Sequence, residues 1–112
     1  MKSMIKLQAI MDVFTDEHYK ITANMIAVFC YLAARSDKVI ETRHLPEALG
    51  LPQTTINRLV RTMADRSYLR EEGLKWLKVR TDMHDERQRI VEMTQKGHAL
   101  ASKIREIMED DQ

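Results

Sequence analysis

Six polar side chains lie close together in the segment QTTINRLVR (53–61): Gln53, Thr54, Thr55, Asn57, Arg58 and Arg61. Their chemistry matches the edges of DNA bases. An arginine can hold guanine O6 and N7 with two hydrogen bonds, and a carboxamide can do the same for adenine N6 and N7. A threonine methyl can contact the methyl group of thymine. The segment therefore favours contact with duplex DNA if its outer face is accessible.

Two further arginines, Arg87 and Arg89, lie in or beside a polar stretch, TDMHDERQ (81–88). The flanking segments LKWLKVR (74–80) and RIVEM (89–93) are rich in strand-forming residues and predict a hairpin around this stretch. Basic side chains near a hairpin tip can reach phosphates or an adjacent minor groove. The whole chain has a formal net charge of +1, so the total charge alone does not indicate an anionic partner.

The polar segment follows a tight turn, Gly50-Leu51-Pro52. We expect Gly50 to end one short helix with a positive φ, and Pro52 to open the next helix with its φ already set. The second helix is predicted to run to about residue 65, with a buried stripe of Ile56, Leu59, Val60 and Met63. Two helices joined in this way predict a helix-turn-helix, and the hairpin after it makes the unit a winged helix.

The remaining elements follow from apolar spacing and capping residues. A first helix is predicted over residues 4–14, and a buried second helix over 22–35 with Thr22 as its N-cap. A short strand is predicted at 39–41, and Thr42 is expected to cap the short helix that precedes the turn.

Thr94 is expected to cap a last helix, whose apolar stripe is Leu100, Ile104, Ile107 and Met108. The fold class predicted for residues 1–112 is a single winged helix-turn-helix domain, mainly α with a small antiparallel β-hairpin. Strand alternation predicts that Trp76 shares a face with Lys78 and Arg80, packing on the hairpin or on a neighbouring subunit.

Other classes of function lack the residues they need. No run of 18 apolar residues exists, so no membrane span is expected. Cys30 is the only cysteine, which excludes an internal disulfide and fits a buried structural thiol in a reducing cytoplasm. The four histidines lack ligand spacing, so neither a metal site nor a cofactor is expected. No glycine-rich phosphate loop or marked catalytic pair occurs, and we expect no enzyme activity.

The hairpin and the residues after it resemble the DNA-binding core of the multiple antibiotic resistance regulator (MarR) family. The wing in that family carries Asp-x-Arg, a few apolar-rich residues, and then Val-x-Leu-Thr-x-x-Gly. This register is matched here by Asp85, Arg87, Val91, Met93, Thr94 and Gly97, with Met in place of Leu. Upstream, LGLPQTTINRLV resembles the turn and the recognition helix of the family. The resemblance covers about residues 40–105.

The resemblance implies a sequence-specific regulator of transcription that binds double-stranded DNA, acting as a repressor and as a homodimer on a near-palindromic operator. It implies that the wing arginine, Arg87, enters the minor groove while Asp85 orients it. It also implies that the recognition helix reads the major groove through Gln53, Thr54, Thr55, Asn57 and Arg58. The residues identify no small-molecule effector.

Three departures from the family pattern leave other interpretations open. Ser67-Tyr68 stands where the family usually has Gly-Leu, and extra residues (70–73) precede the first wing strand. The chain is also too short for the final helix of the family, so the first and last helices could pair instead to form a dimer. Two alternatives to a transcriptional regulator stay open. One is a winged-helix module that binds proteins, and the other is a DNA-binding component of a replication or partition complex.

Overall fold

The computed structural model describes residues 2–18, 20–65 and 72–110. Within these ranges, helices surround a small antiparallel sheet whose strand order is β1-β3-β2. The elements are α1 (Lys2–Glu17), α2 (Ala23–Ala34), β1 (Ile40–Glu41), a 3-10 turn (Thr42–His44), α3 (Leu45–Leu49), α4 (Gln53–Met63), β2 (Leu77–Thr81), β3 (Arg89–Met93) and α5 (Gln95–Met108). The predicted order of elements and the predicted fold class are confirmed.

Two of the three predicted threonine caps are present. The Thr22 hydroxyl accepts a hydrogen bond from the backbone N–H of Met25 at 3.2 Å and begins α2. The Thr94 hydroxyl accepts from the N–H of Gly97 at 3.0 Å and begins α5. Each bond satisfies a donor that the first turn of a helix would otherwise leave unpaired. The cap predicted at Thr42 is wrong, because Thr42 begins the 3-10 turn and makes no such bond.

Three aromatic rings meet edge-on in the core, beneath the junction of helices and sheet. The ring centroids of Phe14 and Phe29 lie 5.6 Å apart, and those of Phe29 and Trp76 lie 5.5 Å apart. Trp76 is fully buried, and no described atom accepts a hydrogen bond from its indole N–H. Edge-on contacts between aromatic rings are favourable and help to offset the loss of that bond.

The expected alternation along 74–80 is wrong at Trp76. The strand begins only at Leu77, because Lys75 has a φ of 62° and breaks the extended backbone. Trp76 and Leu77 are therefore both buried, although they are neighbours in sequence. Beyond this break, Lys78 and Arg80 do share one face, since both contact Glu92 on β3.

Cys30 does not lie where the sequence suggested. It is exposed on α2, so the expectation of a buried thiol is wrong. It borders an apolar groove between α2 and α5, lined by residues such as Ala33 and Ile104. Partial burial against this groove raises the pKa of the thiol, and a raised pKa lowers the fraction of reactive thiolate at neutral pH.

Candidate nucleic-acid interface

The turn between α3 and α4 has the backbone that its sequence predicts. Gly50 has a φ of +68°, and its N–H donates to the Pro46 carbonyl at 2.8 Å. Leu51 donates to the same carbonyl, so the last turn of α3 is closed by two bonds. Pro52, with a φ of −61°, stands at the N-cap of α4. The turn therefore holds the beginning of α4 in a defined direction relative to α3.

The two faces of α4 differ sharply in burial. Ile56, Val60 and Met63 are buried, and Leu59 packs against the same core. The exposed side chains are Gln53, Thr54, Asn57, Arg58 and Arg61, whereas Thr55 is only half-exposed. Four of the six predicted side chains line one shallow depression of 210 Å³ on the outer face: Thr54, Asn57, Arg58 and Arg61. Thr55 is not among them.

Gln53, the remaining polar residue of the set, is hydrogen-bonded to two neighbouring groups. Its side-chain Nε2 donates to Asn57 Oδ1 at 2.9 Å, one helical turn further along α4. The same nitrogen lies 3.4 Å from the carbonyl oxygen of Thr42, in the 3-10 turn. Gln53 thus links the exposed face of α4 to the segment that leads into the helix-turn-helix.

The C-terminal end of α4 is joined to the beginning of the hairpin by backbone hydrogen bonds. The N–H groups of Leu74, Lys75 and Trp76 donate to the carbonyls of Thr62, Ala64 and Met63 at 2.9–3.0 Å. These carbonyls would otherwise lack partners at a helix end. The positive φ of Lys75 directs the chain away from α4 and into β2. Helix α4 and the hairpin therefore form one connected unit.

The hairpin itself is regular, with β2 and β3 paired from Leu77↔Met93 to Thr81↔Arg89. Glu92 on β3 accepts from Arg80 at 2.6 Å and lies 3.6 Å from the Lys78 ammonium. The hydrogen bond from Arg80 and the nearby positive charges lower the pKa of Glu92. These basic side chains of β2 are thus engaged across the sheet.

Arg87 lies near the tip of the hairpin, with 90% of its side chain exposed. The Asp85 carboxylate accepts from the Arg87 backbone N–H at 3.0 Å and lies 3.4 Å from its side-chain Nε. The hydrogen bond from that N–H is the main cause that lowers the pKa of Asp85. Asp85 therefore shapes the loop around Arg87, and the guanidinium still extends into solvent.

Arg89 lies at the base of the loop and faces α4. Its guanidinium donates to the Glu86 carbonyl at 2.9 Å. It borders a groove of 340 Å³ between helix and hairpin, whose other lining residues include Asn57, Arg61 and Val79. The structure thus brings Arg89 to the same groove as two of the predicted α4 residues, whereas Arg87 projects from the hairpin tip.

Arg43 is a basic residue of this region that sequence reasoning did not single out. Its Nε lies 2.5 Å from Glu41 Oε2, and its charge contributes to lowering the pKa of Asp85 in the hairpin loop. The short strand β1, which the sequence does predict, could have indicated this position of Arg43. Pairing of β1 with β3 brings the residues just after β1 beside the hairpin. The departures from the family pattern at Ser67 and Tyr68, and part of the extra segment 70–73, lie outside the described residues.

Within the part of the chain that the structure describes, no three metal-binding side chains of the His, Cys, Asp or Glu type converge on one point. No described helix has both the length and the apolar character needed to cross a membrane.

The fold is that of solved MarR-type regulators. A mutant of MepR from a multidrug-resistant S. aureus clinical isolate superposes with a TM-score of 0.75 at 19% identity, covering 96% of this chain and 70% of that one. A complex of S. aureus MepR with DNA gives 0.67 at 20% identity, over 96% and 73% of the two chains. A mutant of E. coli MarR with operator DNA gives 0.68 at 17% identity, over 99% and 71%. The sequence itself matches no protein-family model and no curated protein.

Proposed function

We propose that this protein is a sequence-specific transcriptional regulator that binds double-stranded DNA and has no enzymatic role. One observation carries the proposal. The polar outer face of α4 and the arginine-bearing hairpin border a common groove, in which Asn57, Arg61 and Arg89 meet. A polar helix beside a basic hairpin is the arrangement that lets a winged helix contact bases and phosphates together.

The solved neighbours support this proposal. Two of the structures with the same fold, MepR and MarR, were determined in complex with DNA, the latter with operator DNA. In the proposed complex α4 enters the major groove. Base contacts come from Gln53, Thr54, Thr55, Asn57 and Arg58, with Arg61 toward the phosphates. The hairpin arginines Arg87 and Arg89 follow the backbone or the adjacent minor groove.

The assembly that we propose is a homodimer of single-domain subunits on a near-palindromic operator. Two α4 helices related by a twofold axis would then enter major grooves about 34 Å apart, one turn of B-DNA. Occupation of such a site within a promoter blocks access by polymerase, so the proposed mode of regulation is repression.

The test is selection from a random pool of duplex DNA by the purified protein, at near-physiological salt. The expected product is an inverted repeat with half-sites about one helical turn apart. A tandem repeat would instead favour a component of a replication or partition complex. The proposal fails if no sequence is enriched and if the protein is not retained on duplex DNA even at low salt, where phosphate contacts are strongest.

A further inference from the structure

The 3-10 turn that leads into α3 (Thr42–His44) carries an exposed arginine, Arg43. Arg43 belongs neither to α4 nor to the hairpin, the two elements that the proposed function brings to DNA. The inference about Arg43 rests on that function and deepens it, because it adds a third element to the contact with the DNA backbone.

The turn lies between the beginning of α4 and the hairpin. The Thr42 carbonyl oxygen is 3.4 Å from Nε2 of Gln53, the first residue of α4. Thr42 also borders the groove between α4 and the hairpin. Antiparallel pairing of Glu41 with Ile90 directs the chain after β1 toward the end of the sheet that carries the hairpin loop. Arg43 is therefore placed beside both elements of the proposed interface.

The charge of Arg43 acts on the same loop residue as Arg87. The pKa of Asp85 is lowered mainly by the hydrogen bond from the Arg87 backbone N–H, and the charge of Arg43 also contributes. The interaction between two charges weakens as their separation grows, so this contribution agrees with the position of the turn beside the hairpin loop. Arg43 and the hairpin arginine thus lie on one side of the protein.

The geometry of a helix-turn-helix indicates what a cation at this position meets. The second helix of such a unit lies in the major groove, and the first helix crosses the sugar-phosphate backbone. In this protein α4 is the second helix and α3 is the first. A basic side chain just before α3, and beside the beginning of α4, is then closer to phosphates than to base edges.

The Arg43 guanidinium is held at one edge by the protein. Its Nε contacts Glu41 Oε2 at 2.5 Å, and 56% of the Arg43 side chain is exposed, against 18% for Glu41. The more buried carboxylate therefore anchors the more exposed guanidinium. A guanidinium has five N–H donors, of which Nε supplies one. A phosphate can be bound through the terminal nitrogens while the contact with Glu41 persists.

We propose that Arg43 binds a phosphate of the DNA backbone beside the major groove that α4 enters. Phosphates are alike at every base pair, so this contact contributes affinity and position but no sequence preference. DNA is then contacted by three elements of one subunit: α4, the hairpin and the turn before α3.

The experiment compares Arg43→Ala with wild type on the selected operator and on a scrambled duplex, by fluorescence anisotropy at several salt concentrations. Loss of one phosphate contact should lower the slope of log K against log salt by about one unit. The affinity should fall by the same factor on both duplexes. Lys38→Ala is the matched control, because it removes an exposed positive charge before the other end of β1. It should keep the wild-type slope.

A second background separates a phosphate contact from an indirect effect of Glu41. Removal of Arg43 leaves the Glu41 carboxylate without its guanidinium, and that negative charge alone would repel DNA. Glu41→Gln removes the charge, so Arg43→Ala is measured again in the Glu41→Gln background. A phosphate contact predicts the same decrease of about one unit there. A decrease that requires the Glu41 carboxylate would overturn the inference.

Three further results would overturn the inference while an enriched site keeps the proposed function intact. The first is a wild-type slope for Arg43→Ala on the selected operator. The second is a loss of affinity on the operator but not on the scrambled duplex, which would indicate a base contact. The third is an equal change of slope in Lys38→Ala. Wild-type protein that enriches no sequence and is not retained on duplex DNA would instead overturn the proposed function and the inference together.

Discussion

The side chains of the proposed interface differ in how firmly the protein holds them. Gln53 and Asn57 are hydrogen-bonded to each other, and Arg89 is tied to the Glu86 carbonyl. The side chain of Arg87, by contrast, is 90% exposed, and its contact with Asp85 is long at 3.4 Å. An arginine held only loosely can be redirected to a phosphate or a minor groove at little cost in protein contacts, because exposed ion pairs are weak.

Replacement of Arg87 by alanine should lower the affinity for the selected operator and flatten its dependence on salt. Each phosphate contact that is lost removes about one counterion from the binding equilibrium, so the slope of log K against log salt should fall by roughly one unit. Titration of labelled operator by fluorescence anisotropy at several salt concentrations measures this slope.

Lys103→Ala is the matched control, because Lys103 is an exposed cation on α5, outside the helix-turn-helix and hairpin. It should leave the slope as in wild type. An Arg87→Ala protein with the wild-type slope would mean that the hairpin tip points away from DNA.

Arg58 should act on specificity rather than on salt dependence, because it lies in the outer depression of α4 with Thr54 and Asn57. We expect Arg58→Ala to weaken binding to the selected site by about 1–3 kcal/mol and to relax the preference at one base pair. Competition between cognate and scrambled duplexes measures both effects. Equal affinity of variant and wild type for the cognate duplex would remove Arg58 from the proposed base contacts.

At the scale of elements, one short segment joins the three parts of the winged helix. Residues 73–76 satisfy the carbonyls at the end of α4 and then lead into β2. The N-terminal end of α5 closes on the same segment, because Thr94 donates from its N–H to the Trp76 carbonyl and from its hydroxyl to the Lys75 carbonyl. Helix α4, the hairpin and α5 are thereby held in a fixed mutual arrangement.

This junction predicts that Gly97→Ala destabilises the protein. A Cβ at Gly97 would lie 2.2 Å from the Trp76 carbonyl oxygen, which is backbone and cannot move without shifting the strand. Overpacking of this kind costs about 1–3 kcal/mol, so the midpoint of urea unfolding should fall. The fully buried Trp76 makes tryptophan fluorescence a direct probe of this transition.

The control for Gly97→Ala is Ser102→Ala, an exposed position of the same helix. It should change the free energy of unfolding by no more than about 0.5 kcal/mol. A Gly97→Ala protein as stable as wild type would show that α5 can move away from the sheet without cost.

Gly50 should be sensitive to substitution for a different reason. A Cβ at Gly50 meets nothing within 4 Å, but its φ is +68°. Gly50→Ala should therefore cost about 1–2 kcal/mol from backbone conformation alone. Gly50→Asn should cost less, because asparagine tolerates the left-handed region better. Urea unfolding of the two variants side by side tests this order, and equal losses would point to a cause other than φ.

These local rules explain which parts of the fold could be predicted from the sequence. Gly50, Thr22 and Thr94 act on their own neighbours, so the helix boundaries that depend on them were predicted correctly. Lys75 has its positive φ where its N–H bonds to the Ala64 carbonyl just after α4, a tertiary contact that no local pattern reveals. Strand alternation therefore failed at Trp76.

The same distinction applies to the candidate site and to Cys30. The exposed face of α4 follows from helical periodicity, because the apolar stripe defines the opposite side. The bond between Gln53 and the Thr42 carbonyl joins residues from two elements, and the sequence does not contain that distance. Cys30 lies in an apolar segment, but whether its side of α2 is covered depends on how α5 packs against it.

At the scale of the whole molecule, apolar side chains are exposed away from the helix-turn-helix. Met4 and Leu7 on α1 and Met108 on α5 are about half-exposed or more. These two helices pack against each other, and the Lys6 ammonium contacts the Met108 carbonyl at 3.4 Å. This apolar surface lies on elements other than α4 and the hairpin, and we propose that a second copy of the chain covers it, as the isologous contact of a twofold dimer.

The proposed homodimer predicts that Met4→Glu weakens self-association. Met4 is 52% exposed, so a charge there is tolerated in the isolated subunit but must be desolvated within an apolar contact. We expect the dimer dissociation constant to rise at least about tenfold in sedimentation equilibrium. Val39→Glu is the control, since Val39 is 68% exposed in the segment between α2 and β1, and its substitution should not affect association.

If both variants behave as wild type, α1 lies outside the dimer contact. A single subunit contacts only one half-site, so a monomeric Met4→Glu protein should bind the full inverted repeat more weakly than wild type. Unchanged affinity would show that DNA recognition does not depend on the dimer.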